Sequence, residues 1–258
     1  MEVVERFVLG KRADPALCED AIVVTAGHAA VVDGATDVSG RRYDGVTGGR
    51  WAMAACVEAV RALPAGVDAY AAVEALTRAL AGRDEPANER PSASVTIYSA
   101  ARREVWQVGD VGFRYAGMSG RSPRKLVDEV AAAFRAAVIA AEAAAGTPVV
   151  GDPGRAAARA LIGRQGFLRN TLGPYGYAAV DGRPVPRSLV VVREVPDGEL
   201  VIASDGYPVI EPTLAASEAT LARLLEADPA CVRELRGTKG LRDGQVSFDD
   251  RAYLRLRP

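Results

Sequence analysis

Ala29-Ala30-Val31-Val32-Asp33-Gly34-Ala35-Thr36 is the stretch on which the fold of this chain turns. Its apolar run predicts a buried strand, and the strand ends in Asp-Gly. A carboxylate at the end of a hydrophobic strand, beside a Gly that lets the backbone turn sharply, can aim a side chain and a carbonyl oxygen at one ion. The pattern recurs. Glu199-Leu200-Val201-Ile202-Ala203-Ser204-Asp205-Gly206 is again an apolar run ending in Asp-Gly, and Val105-Trp106-Gln107-Val108-Gly109-Asp110 ends in Gly-Asp. Two acidic pairs, Glu19-Asp20 and Asp249-Asp250, border further strand-like runs. The expectation is that these strand ends converge on one cluster of oxygen ligands.

Outward from that strand, residues 20–25 and 29–32 flank Ala26-Gly27-His28 and predict a β-hairpin. Residues 3–9, 91–99, 103–108, 111–116, 177–180, 246–248 and 251–256 also read as strands. Residues 189–195 and 199–203 predict a hairpin about Pro196-Asp197-Gly198. Helical periodicity covers 50–63, 67–81, 122–145 (Ser122-Pro123 as cap and first turn), 155–165 and 213–226, with a short helix over 229–236. Consecutive hairpins with helices grouped between them fit an α+β class better than a parallel βαβ sheet. Strands apolar on successive residues, such as 21–24 and 189–192, imply burial on both faces. The simplest architecture is a four-layer α-β-β-α sandwich, two antiparallel sheets packed face to face and flanked by helices. No internal repeat and no Pro-, Gly- or Ser-rich linker interrupts the chain. Residues 1–258 are therefore expected to form one domain, with a helical insertion at about 118–186.

Over 258 residues, an apolar content of 49% with 25% charged residues can build a full core and argues against disorder. The net formal charge of −1 leaves no basic field, so no nucleic acid partner is expected. The most apolar long segment, 127–145, is broken by Asp128, Glu129, Arg135 and Glu142, and no membrane span is expected. Three Cys without CxxC spacing point to reduced thiols and a cytoplasmic location, and the acidic first residues show no signal peptide. Nothing in the sequence specifies an oligomeric state. The single histidine, His28, excludes a zinc site built on several His. A Ser-His-Asp triad would have to run through it, although it reads as a turn or core residue.

Several carboxylates within a few ångströms cannot all stay ionised without a cation. Mg²⁺ or Mn²⁺ suits such a site, because both are hard ions that take oxygen ligands and keep water. Two such ions about 3.5–4 Å apart can activate a bridging water and clamp phosphate oxygens for in-line attack. That chemistry is metal-dependent phosphate ester hydrolysis. Asp44-Gly45, Asp181-Gly182, Asp197-Gly198 and Asp243-Gly244 lie in polar or Pro/Gly-flanked contexts and read as turns.

In order along the chain, Cys18-Glu19-Asp20-Ala21, Val31-Val32-Asp33-Gly34-Ala35-Thr36, Pro91-Ser92-Ala93-Ser94-Val95, Val108-Gly109-Asp110, Ala203-Ser204-Asp205-Gly206 and Asp249-Asp250-Arg251-Ala252-Tyr253-Leu254 resemble the motifs of the metal-dependent protein phosphatase family (PPM, or type 2C). The resemblance implies a β-sandwich flanked by helices, with two Mg²⁺ or Mn²⁺ ions and a third, weaker metal position in a cleft at one edge. It implies that Asp33 bridges both ions and that the Gly34 carbonyl binds one. Asp205 and Asp249 then complete the first ion's shell, with Glu19 and Asp20 beside the second and Asp110 near the third. A metal-bridging water is the implied nucleophile. The chain departs from the family at three places. Ala35 stands where many eukaryotic members have His, Asp250 stands where Asn is common, and Arg12, the candidate phosphate-gripping Arg with Lys11 beside it, lies at a stretched spacing before Glu19. In the 118–186 insertion, Arg164, Arg169 and Tyr175 are candidates to meet a phosphorylated partner, with helix packing as the alternative.

The leading expectation is a phosphatase of phosphoserine or phosphothreonine in proteins. The alternatives are a phosphatase-fold binding or regulatory protein, and a phosphatase of a small phosphorylated metabolite.

Overall fold

The computed structural model describes residues 1–35, 40–118, 120, 123, 125–146 and 150–258. Thr36, the start of the loop after it, and Ser122, expected as a helix cap, lie outside the described residues. In chain order the elements are β1 (Glu2–Leu9), β2 (Asp20–Val24), β3 (His28–Gly34), β4 (Arg42–Tyr43), β5 (Val46–Thr47), α1 (Gly48–Arg61), α2 (Ala69–Ala79), β6 (Ala93–Ser99), β7 (Glu104–Val108), β8 (Gly112–Tyr115), α3 (Leu126–Ala144), α4 (Pro153–Ile162), β9 (Val191–Glu194), β10 (Leu200–Ala203), α5 (Leu214–Ala227) and β11 (Arg251–Arg257).

One antiparallel sheet has the order β2-β3-β6-β7-β9 and the other β1-β11-β10-β8, with β4-β5 a small separate ribbon. The unbroken apolar run of β3 follows from its place in this stack. Ala30 and Val32 face α1 and α2 among Ala52, Cys56, Val60 and Leu76. Ala29 and Val31 face the second sheet, where Leu200, Ile202, Leu254 and Leu256 close the interior. Beyond that sheet, Val201, Ala203 and Tyr253 pack on Leu221 of α5. Each fully buried Val, Leu or Ile contributes about 1.5–3 kcal/mol, so strands covered on both faces dominate the stability. The α-β-β-α sandwich expected from the sequence is the observed fold.

Four local expectations fail. Strands β9 and β10 do not form a hairpin: β9 pairs with β7 at the edge of one sheet, and β10 lies between β11 and β8 in the other. Residues 196–198 are a crossover between layers, as Gly109-Asp110 is between β7 and β8. Residues 229–236 are not helical. The Asp228 carboxylate accepts backbone N–H groups of Val232, Arg233 and Leu235, and Cys231 turns left-handed at φ 51°. Residues 246–248 form no strand, the Val246 N–H going instead to the Lys11 carbonyl. Residues 177–180 contribute isolated bridges, Val180 to Ala93 and Tyr177 to Arg169.

Buried Arg135 on α3 joins α3 and α4 to the segment after α5. It is paired with Asp152 and donates to the carbonyls of Ala230, Cys231 and Gly237. No helix among the described residues is long and apolar enough to cross a membrane.

Candidate active site

Strand pairing sets the acids side by side. Asp20 opens β2 directly opposite Asp33 near the end of β3, and Asp33 lies opposite Ser94 of β6. Asp205 follows β10, and Asp249-Asp250 precede β11, its neighbour in the second sheet. Asp110 sits in the crossover from β7 to β8. Each acid thus marks where a buried apolar strand reaches the same end of the sandwich.

In Asp33-Gly34 and Asp205-Gly206 the glycine serves close approach, not a left-handed turn. A Cβ at Gly34 would meet the Gly49 carbonyl oxygen at 2.1 Å, and one at Gly206 would meet the Asp250 carbonyl oxygen at 2.1 Å. The first contact seats the start of α1 on the site. Its cap, Thr47, also donates its hydroxyl to Glu19 Oε1 at 2.5 Å.

The carboxylates divide into two groups. Asp33 and Asp205, both half-buried, accept no side-chain hydrogen bond among the described residues. Burial, followed by the charges of Asp20 and Asp205, holds the Asp33 carboxyl well above the usual carboxylate range. Burial and the charges of Asp249 and Asp110 push Asp205 up to about 7. Asp20 is also raised by burial, against a 2.5 Å hydrogen bond from the Ser204 hydroxyl.

The second group is already satisfied by the chain. Asp249 Oδ1 accepts from Lys11 Nζ at 3.3 Å and Oδ2 pairs with Lys239 Nζ at 2.6 Å. Asp110 Oδ1 accepts from the Ser94 hydroxyl at 2.5 Å, and Oδ2 pairs with Lys125 Nζ at 2.7 Å. Burial alone would raise both acids, but Lys239 and Lys11 outweigh it at Asp249, and Lys125 does so at Asp110. Both are held below the usual range. Asp250 accepts from the backbone N–H groups of Lys11 and Glu19 and from Lys11 Nζ at 3.0 Å, latching the 10–19 loop to β11.

Lys125 and Lys239 are partners that motif reading missed, and Lys11, named there only beside Arg12, is the third. A signal was present, since these are the only three Lys among 32 basic residues. Arg12, the expected phosphate grip, is exposed and makes no hydrogen bond or ion pair among the described residues. Arg169 is engaged with the Arg90 carbonyl and with Asp181, while Arg164 and Tyr175 are exposed. His28 is fully buried against Trp106.

A cleft of about 520 Å³ opens from Asp110, Asp205 and Asp249, past Lys125 and Lys239, to a wall of Val209, Leu224 and Phe248. Asp33 and Asp205, which accept from no side-chain donor among the described residues and whose charged forms are disfavoured by burial first and by neighbouring carboxylates next, offer hard oxygen atoms suited to Mg²⁺ or Mn²⁺. Among the described residues, no three or more Asp, Glu, His or Cys side chains are grouped so that they could hold a metal ion.

No family model matches the chain, and no curated protein matches it in sequence. Among solved structures, a bacterial serine phosphatase superposes with a TM-score of 0.51 at 13% identity, over 99% of this chain and 96% of that one. The Mycobacterium tuberculosis serine/threonine phosphatase PstP/Ppp gives 0.46 at 17% identity, covering 98% of each chain. RsbX, solved in complex with magnesium, gives 0.45 at 13% identity over 98% and 97%. The chain shares the fold of the first of these, and at such identities the likeness is one of fold alone.

Proposed function

We propose that this chain is a divalent-metal-dependent phosphatase of phosphoserine and phosphothreonine in proteins, built as one domain over residues 1–258. The observation that carries the reading is the meeting of Asp20, Asp33, Asp110, Asp205 and Asp249 where strands of both sheets end. In this reading Asp33, Asp205 and the Gly34 carbonyl hold the ion, with Glu19 and Asp20 beside them. When bound, Mg²⁺ or Mn²⁺ supplies Lewis-acid polarisation of the phosphate and an activated water as nucleophile. Ser204 fixes Asp20 on one side, and Ser94 with Lys125 fixes Asp110 on the other. The cleft beside the acids admits a phosphorylated side chain, with its apolar wall facing the residues that carry it.

The test is phosphate release from a phosphopeptide with Mn²⁺ and with chelator, for native protein and Asp205→Asn. Release that needs Mn²⁺ and falls more than about 100-fold in the variant is expected, since losing even a group behind a ligand costs about 10–100-fold. Release from neither phosphopeptide nor aryl phosphate would refute the reading. A second reading, a phosphatase-fold binding protein, is favoured by Ala35 and by the exposed Arg12. These leave leaving-group protonation and the phosphate grip without an assigned residue. Its signature is partner binding that survives Asp33→Asn and Asp205→Asn, with no turnover before either change.

A further inference from the structure

A chain that meets nearly every need for a cation with Arg uses Lys in three places, 11, 125 and 239. All three ammonium groups lie on the acid cluster. Lys11 Nζ stands between Asp249 at 3.3 Å, Asp250 at 3.0 Å and Glu19 at 3.6 Å. Lys239 takes the other oxygen of Asp249, and Lys125 takes Asp110. No Arg among the described residues pairs with Asp110, Asp249 or Asp250.

The residue type fits the place. An ammonium is a compact point charge with three donors on a flexible stem, whereas guanidinium is a planar fork suited to one bidentate partner. An ammonium can therefore sit among several carboxylates much as a small cation does. The three side chains are only 18%, 18% and 19% exposed, so their charges act where solvent screens weakly. Together they occupy both oxygens of Asp249 and, with Ser94, both oxygens of Asp110. Asp33 and Asp205 remain without a donor among the described residues.

We propose that Lys11, Lys125 and Lys239 are resident counter-cations of this centre. The chain then holds one divalent ion, between Asp33 and Asp205, and keeps Asp110 and Asp249 closed to another. The inference rests on the metal-dependent reading above, but it concerns ion count and not turnover. A second ion at Asp249 has to displace Lys11 or Lys239 against the repulsion of the other ammonium.

The experiment is equilibrium dialysis of the full chain against Mn²⁺, with bound metal counted per chain. One Mn²⁺ is expected for native protein. The double substitution Lys11→Met and Lys239→Met frees Asp249 and is expected to raise the count to two. Lys239→Arg keeps the charge and is expected to leave it at one. Lys125→Met frees the Oδ2 of Asp110 and serves as a second, independent variant. Circular dichroism melts restrict the comparison to folded proteins. Native protein taking up two or more ions at similar affinity, or none, overturns the proposal. So does an unchanged count in both the double variant and Lys125→Met. One bound ion without phosphate release sinks the phosphatase reading and leaves the count standing. Two bound ions with release does the reverse.

Discussion

Asp205 shows at the scale of one residue what the cluster costs the fold. Its carboxyl titrates near 3.8 when free of the fold and is pushed up to about 7 in it, by burial first and by Asp249 and Asp110 next. Between those values the folded chain binds the extra proton, so stability in chelator falls as pH rises and the loss is complete above the folded value. The melting temperature of chelator-treated protein is therefore expected to decline from pH 4 to pH 7. Asp205→Asn should flatten that decline, and an unchanged slope would remove Asp205 as its source. Asp250 serves the fold through hydrogen bonds, and both its carboxylate oxygens accept them. Asp250→Asn turns one carboxylate oxygen into an amide that faces the Lys11 donors, at a cost of about 1–3 kcal/mol. A denaturant titration should show that loss, and an unshifted midpoint would mean the 10–19 loop is held by other contacts. At this scale the acids were legible because each ends or opens an apolar run. The lysines were not, since Lys11, Lys125 and Lys239 lie in loops or at a helix start with no pattern around them. Only their scarcity marked them.

At the scale of elements, the two Asp-Gly glycines are set by what passes over them. Gly34 lies under the start of α1, and Gly206 lies under the carbonyl of Asp250. Gly34→Ala or Gly206→Ala puts a methyl at 2.1 Å from a backbone oxygen that no rotamer change can move. Each is expected to cost about 1–3 kcal/mol or more, as overpacking does, and to weaken Mn²⁺ binding by shifting Asp33 or Asp205. Gly66→Ala, with nothing within 4 Å, is the control that should leave both quantities unchanged. Equal melting temperatures for all three variants would contradict the close-approach argument. Strand existence was readable from apolar runs, but strand partnership was not. Periodicity reports that Val191–Glu194 and Leu200–Ala203 are extended, yet it is the same for a hairpin and for a layer crossover. The segment after α5 was misread for a related reason. Residues 229–236 carry helical spacing, but one side chain, Asp228, captures the N–H groups that a helix would need.

For the whole molecule, the acid cluster lies where the two sheets meet, so the proposed ion site depends on the global fold. Asp33 belongs to one sheet, and Asp205 leaves the other. The four-layer stack was legible because strands such as β3 are apolar on both faces, which only coverage on both sides explains. That stack also fixes what an ion between Asp33 and Asp205 does. Unfolding carries the two residues apart, so the ion binds the folded state and not the unfolded one. Mn²⁺ at about 100 times its dissociation constant then stabilises the fold by about 2.7 kcal/mol. For a chain of this size, each kcal/mol shifts the melting temperature by about 2–4 °C. The melting temperature is therefore expected to climb by about 5–10 °C across a Mn²⁺ titration, in a single transition. Asp33→Asn and Asp205→Asn should each abolish the climb. A Mn²⁺ effect that survives both substitutions places the ion elsewhere on the molecule. A transition that splits in two as metal is removed would mean that the sheets unfold separately and the cluster does not join them.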